Sequence, residues 1–164
     1  MKDTHKRITL TSQKIADMQA LGNALGACVE PATLVVLSGE LGAGKTELSG
    51  AIGKGMEIAC TMTSPTFSFL KRYESDRIPL NHLDVYRLES ADQLIDIGFW
   101  DLLTLTEPSA ILVEWGEKFS EIVSNADLVI TLSATSVDMR DVELQSLSTK
   151  GDELLSAAMS KDDL

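Results

Sequence analysis

The eight residues Gly39-Glu40-Leu41-Gly42-Ala43-Gly44-Lys45-Thr46 constrain this chain more than any other feature. They fit G-x-x-x-x-G-K-S/T at every fixed position, a pattern that requires a strand before it and a helix after it. Oxygens of a polyphosphate must be met by many N–H donors at close range. Glycines let the backbone curl into such a nest with no Cβ in the way. The helix that follows turns its partially positive N-terminus toward the same anion. Residues Glu40, Leu41, Gly42, Ala43 and Gly44 would form the cradle, Lys45 would reach the β- and γ-phosphates, and the Thr46 hydroxyl would ligate Mg²⁺. A chance match in a chain of this size is on the order of 1%.

The flanking sequence agrees. Thr33–Leu37 is a dense apolar and β-branched run, which reads as a buried parallel strand. Leu48, Ala51, Ile52 and Met56 mark the inner face of the helix after the loop. Upstream, Arg7–Leu10 reads as a short strand. Thr11 or Ser12 can cap a helix in which Ile15, Met18, Leu21, Leu25 and Cys28 recur, and Pro31 stops it. Downstream, Thr63–Thr66 is a loop because Pro65 disfavours helix before it. Phe67–Tyr73 and Leu80–Tyr86 read as strands on either side of a turn at Ser75–Arg77, and a helix from Ser90 through Ile95 breaks near Gly98. Ala110–Trp115 is a second apolar strand, Asp127–Ser133 and Met139–Leu147 form a late antiparallel pair, and 151–164 reads as an acidic tail in the form of a frayed helix. The expectation is one α/β domain over residues 1–150, three-layered, with a mixed sheet.

Composition narrows the function classes. With 14 Lys and Arg against 25 Asp and Glu, the formal charge is −11. Nucleic-acid affinity rests mainly on cationic contacts to phosphates, so direct binding of DNA or RNA is not expected. No apolar run reaches the length of a membrane span, and Lys2, Lys6 and Arg7 are not followed by the apolar stretch of a signal peptide. Cys28 and Cys60 lack C-x-x-C spacing and suit a reducing, cytoplasmic setting.

A phosphate loop needs an acidic group at the end of a neighbouring strand to complete the Mg²⁺ shell. Glu114 ends the run Ala110–Val113, and Asp84 lies in His82-Leu83-Asp84-Val85-Tyr86, where His82 and Asp84 share one strand face. By spacing alone His82 reads as structural and Trp115 as edge packing.

Together these blocks resemble the TsaE (YjeE) family of bacterial P-loop ATPases of tRNA threonylcarbamoyladenosine synthesis. The resemblance rests on the Gly39–Thr46 loop, Ser64-Pro65-Thr66-Phe67, His82-Leu83-Asp84-Val85-Tyr86-Arg87-Leu88, the Gly98 region and Val113-Glu114-Trp115, in that order over about residues 33–117. It implies an accessory ATPase that acts on a TsaB–TsaD complex during threonylcarbamoylation of adenosine 37, with tRNA met only indirectly. It also implies roles: Lys45 and Thr46 on phosphate and Mg²⁺, Asp84 and Glu114 on metal and attacking water, Ser64, Pro65, Thr66 and Phe67 as a switch loop, and Trp115 beside the nucleotide. One departure is Glu47, where the family usually has a second threonine.

Three other readings compete. Thr149-Lys150-Gly151-Asp152 fits the guanine-reading pattern N/T-K-x-D of GTPases, but Val142–Leu147 before it looks like an amphipathic late strand and no D-x-x-G switch follows an apolar one. A small-molecule kinase would need a basic lid, and arginines are few: Arg7, Arg72, Arg77, Arg87 and Arg140. A nucleotide-gated adaptor would bind ATP without needing to hydrolyse it.

Overall fold

The computed structural model describes residues 5–104 and 106–161. It opens with strand β1 (Arg7–Lys14), helix α1 (Ile15–Cys28), strand β2 (Leu34–Gly39) and helix α2 (Lys45–Gly55). Strands β3 (Leu70–Tyr73) and β4 (Leu80–Asp84), short helices α3 (Gln93–Asp96) and α4 (Phe99–Thr104), and strand β5 (Ala110–Glu114) follow. A short α5 (Ser120–Val123), strands β6 (Leu128–Ala134) and β7 (Met139–Ser146), and helix α6 (Thr149–Met159) complete it.

The strands form one sheet in the order β1-β7-β6-β2-β5-β4-β3. Strand β2 runs parallel to β5 and β6, and β4 runs parallel to β5. The outer pairings β3–β4, β6–β7 and β1–β7 are antiparallel, so the sheet is mixed. Because β2 is central, both of its faces are covered, and an uninterrupted apolar run is what such a strand requires. Val35 and Leu37 join α1, α2 and α6 in one core cluster. Leu34 and Val36 face the other way and join Leu94, Phe99 and Ile122 from α3, α4 and α5. Two helical layers therefore sandwich the sheet, as the alternation of residues along β2 demands.

Helix α1 packs on α2 through glycines. A Cβ on Gly26 would lie 2.0 Å from the Ile52 carbonyl oxygen, and one on Gly55 would lie 2.2 Å from that of Asn23. The helix that carries the phosphate loop is thus seated against α1 by backbone-to-backbone contact.

Three of the departures from the sequence expectation have a clear physical reason. Strand β1 extends to Lys14 through an irregularity between Leu10 and Gln13, with Ser12 at φ 54. Thr11 and Ser12 therefore lie within β1 instead of capping α1, with the Ser12 N–H donating to the Asp141 carboxylate, and Asp17 accepts from the Lys14 N–H at 2.8 Å in their place. Strand β3 begins only at Leu70, because Pro65–Phe69 closes into a tight turn with Phe69 N–H donating to the Pro65 carbonyl. The segment from Gly151 is helical, as expected, but it is packed and not a loose tail. It belongs to α6, whose Leu154, Leu155 and Ala158 are buried in the core. Its acidic residues occupy the outer face and the first turn, which is why composition alone reads as a tail. Residues 162–164 of that segment, and Lys2 at the other end, lie outside the described residues.

Asp152 joins the ends of the fold. Its carboxylate accepts from the Ser146 hydroxyl and from the Lys6 N–H, and it pairs with His5 at 3.2 Å. The Ser146 bond, then the Lys6 N–H, hold its carboxyl below the ordinary 3.8, at about 2. A depressed carboxyl stabilises the fold above its unfolded value, and that stabilisation fades as pH falls toward the folded value. Asp152→Asn is expected to flatten the acid limb of stability between these two values. Denaturant midpoints of parent and variant between pH 4 and pH 2 check this, and parallel curves would refute it.

Candidate functional site

The phosphate loop joins the C-terminal end of β2 to the N-terminus of α2. Gly39, Gly42 and Gly44 adopt φ of 139°, 81° and 105°, a region that side chains resist. A Cβ at Gly39 would also strike the Leu132 carbonyl at 2.4 Å. These glycines let the loop curl, and Gly44 precedes the first turn of α2. Glu40, Leu41 and Gly42 are exposed on the loop, and Ala43 is buried beneath it. Glu47 is exposed in the first turn of α2.

Lys45 is only 5% exposed. Its ammonium donates to the carbonyls of Gly39 and Glu40, at 2.5 and 2.8 Å, and lies 3.8 Å from the centre of the Trp115 ring. Burial pushes the ammonium below its ordinary value, although Glu114, Glu117 and Asp84 pull the other way. Trp115 reaches this position by leaving β5 at φ 65, in the left-handed region. A bulky residue there is uncommon, and such strain clusters at functional sites. Tyr86 packs on its ring at 4.7 Å between centroids. The structure thus sets Trp115 against the phosphate-loop lysine, where spacing alone suggested edge packing.

The two carboxylates end neighbouring parallel strands. Asp84 pairs in register with Glu114, and Glu114 pairs with Leu37 of β2. Both are buried, at 4% and 2% exposure. Glu114 meets α2 directly: the Thr46 hydroxyl donates to Oε2 at 3.1 Å, and the Ser49 hydroxyl lies 2.9 Å from Oε1. His82 Nε2 lies 2.9 Å from the same Oε1. Burial opposes ionisation of Glu114, yet the bonds from His82, Ser49 and Thr46 outweigh it and hold the carboxyl below its usual range. Asp84 faces the loop instead. The Thr66 hydroxyl donates to Oδ2 at 3.0 Å, with Ser64 at 3.4 Å, and the Tyr86 N–H donates to Oδ1 at 2.9 Å. Pro65 of that loop is buried, while Phe67 is 89% exposed beside the Arg87 guanidinium.

These groups surround a cleft of about 410 Å³ that includes Lys45, Thr46, Thr66, Asp84, Glu114 and Trp115. Among the described residues no three His, Cys, Asp or Glu side chains cluster as a metal site. A cation here would draw on the Thr46 hydroxyl, the two carboxylates and the oxygens of a bound phosphate. That all-oxygen set suits Mg²⁺, which is usually held by one or two carboxylates together with phosphates and water.

Three contributors were not read from the sequence. Ser49 lies three residues after Thr46 and so shares its helix face, a signal that was available. His82 has the strand-face spacing with Asp84, but its contact crosses to β5. Arg140 has no local signal. Its Nε donates to the Ala43 carbonyl at 2.8 Å, tying the phosphate loop to the β6–β7 hairpin. The Thr149–Asp152 segment sits far from the cleft. It follows antiparallel β7, and Lys150 donates to the Ala32 carbonyl, before β2 begins. It is therefore at the opposite sheet edge from the phosphate loop and cannot read a base bound there.

The family model for "Threonylcarbamoyl adenosine biosynthesis protein TsaE" matches residues 12–142. The tRNA threonylcarbamoyladenosine biosynthesis protein TsaE of Mycobacterium tuberculosis is 40% identical over 135 residues, covering 78% of this chain and 80% of the relative. That of Streptomyces coelicolor is 36% identical over 137 residues, covering 82% and 90%. The crystal structure of YdiB from Bacillus subtilis superposes with a TM-score of 0.72 over 96% of this chain and 97% of that one. At 22% identity this likeness speaks for the fold alone. On the family match and these relatives, the chain belongs to the TsaE family of threonylcarbamoyl adenosine biosynthesis proteins.

Proposed function

We propose that the protein binds ATP with Mg²⁺ in the phosphate-loop cleft and hydrolyses it slowly, as the accessory ATPase of a TsaB–TsaD complex that threonylcarbamoylates adenosine 37 of tRNA. One observation carries the nucleotide reading: the carboxylate ending β5 sits on the hydroxyl of the phosphate-loop threonine. In this reading the N–H groups of residues 40–46 take the phosphates, and Lys45 leaves its loop carbonyls for them. Thr46, Asp84 and Glu114 hold the cation, and Glu114 orients water. Mg²⁺, when bound, neutralises charge on the β- and γ-phosphate oxygens. Loop 64–67 would sense occupancy, since its hydroxyls hold Asp84.

The partner is argued from family and charge. A chain of net charge −11 fits protein docking better than direct grip on tRNA or DNA. Among the described residues, those lining the cleft include no arginine. An arginine supplied in trans can raise the rate of phosphoryl transfer by about 10³–10⁵. Turnover is therefore expected to be slow alone and faster with TsaB–TsaD. Steady-state ATP hydrolysis with and without that complex tests this, and fast turnover unchanged by the complex would refute it. Glu114→Gln is expected to cut hydrolysis about a hundredfold. Asp84→Asn is expected to weaken Mg²⁺-dependent nucleotide binding, measured by calorimetry. Unchanged affinity would reassign Asp84.

A further inference from the structure

His82 is fully buried, and its ring bridges two strands. From β4 its Nε2 reaches Oε1 of Glu114 on β5 at 2.9 Å. Its other nitrogen, Nδ1, is buried and meets no hydrogen-bond partner among the described residues. A buried N–H without an acceptor is costly, whereas a buried ring nitrogen without a donor is less so. The ring therefore carries its proton on Nε2 and donates to Glu114. Ser49 is the other group near Oε1, but its single proton also faces the Lys45 carbonyl at the same 2.9 Å. His82 is thus the donor committed to Oε1. Among the described residues Oε2 has one hydrogen-bond partner, the hydroxyl of Thr46, which itself lines the cleft.

We propose that Oε2 is the working oxygen of Glu114, and that His82 is a positioning residue that occupies Oε1 and fixes the carboxylate plane. This deepens the ATPase reading above and rests on it for its kinetic consequences. Outer-shell partners of this kind fix the orientation of the group they hold. Among the described residues His82 makes no hydrogen bond to the phosphate loop and is not one of those lining the cleft, so its loss should spare nucleotide binding and strike turnover.

Two measurements on the full chain test this. The first needs no turnover. The chain has two histidines, His5 and His82, so ring ¹⁵N–¹H spectra are assigned with a His5→Gln control. One slowly exchanging Nε2–H and an unprotonated Nδ1 are expected for His82, with the proton resonance shifted in Glu114→Gln. A proton on Nδ1 instead of Nε2 would overturn the proposal. The second compares His82→Leu with His82→Gln, which keeps a donor near the Nε2 position. His82→Leu is expected to lose about tenfold or more in kcat. KM for Mg²⁺–ATP should stay within about threefold, since the phosphate-loop contacts that set binding are untouched. His82→Gln should recover most of the kcat. Parent-like kcat in the leucine variant, or equal loss in both variants alongside lower thermal stability, would overturn the positioning role. Absence of turnover in the parent, alone and with TsaB–TsaD, would overturn the ATPase reading, and the ring spectra would still decide the hydrogen bond.

Discussion

Lys45→Ala is expected to lower ATP hydrolysis by about a hundredfold or more while the protein stays folded. Lys45 lines the cleft with a buried ammonium, held between two loop carbonyls and the Trp115 ring. That placement keeps a partly desolvated cation next to where phosphate charge would build up. A charge in such surroundings interacts far more strongly than one in water. The fold does not depend on it to the same degree. The carbonyls it leaves belong to Gly39 and Glu40, at the partly open surface of the loop, where water can replace the donor. Rates under saturating Mg²⁺–ATP, with circular dichroism as the fold control, decide the matter. Near-parent turnover in a folded Lys45→Ala would remove the phosphate loop from the mechanism.

Gly26→Ala is expected to destabilise the protein, against the usual preference. In a helix interior alanine is favoured over glycine by about 1 kcal/mol. Here the added methyl would sit 2.0 Å from the Ile52 carbonyl oxygen and 2.9 Å from its carbon. Those are backbone atoms of α2 and cannot rotate aside. The two helices would have to part, and forcing extra volume into a packed contact costs about 3 kcal/mol at the upper end of the usual range. The clash wins by about 2 kcal/mol, which in a chain of this size lowers Tm by roughly 4–8 °C. A thermal melt checks it. A higher Tm in the variant would show that α1 and α2 are more loosely seated than their contact distances require.

The parts of this structure legible in the sequence were those specified locally or by a fixed pattern. The loop glycines, the apolar run of β2 and the acidic residue ending Ala110–Val113 each carry their reason within a few residues. The position of Glu114 followed from its apolar strand, and that of Asp84 from the His82–Leu88 block and the family resemblance it carries. What was not legible depends on partners distant in the chain. Ser12 has the chemistry of a helix cap, but the pairing of β1 with β7 draws it into a strand. The acidic residues of 151–164 masked Leu154, Leu155 and Ala158, whose helical spacing matters only once a sheet face is there to cover. His82 looked structural because its partner, Glu114, is 32 positions away on another strand.

The β1–β7 ladder has a consequence for how the chain reaches its native state. Arg7 pairs with Gln145 and Lys14 with Met139. The sheet pairing of β1 is with a strand that follows nearly the whole of the domain in sequence. On a ribosome, α1 and α2 can dock as soon as both have emerged, but β1 has no mate until the β6–β7 hairpin is made. Contacts of such long sequence separation carry a large loop-closure cost and form late. The Asp152 knot to Lys6 and Ser146 can close only after that. The phosphate-loop cleft lies between β2, β5 and β4 and does not need this edge. In pulse-labelled amide exchange during refolding, protection at Leu34–Leu37 and Ile111–Glu114 is therefore expected ahead of protection at Arg7–Leu10. The domain would acquire its phosphate loop before it acquires its outer border.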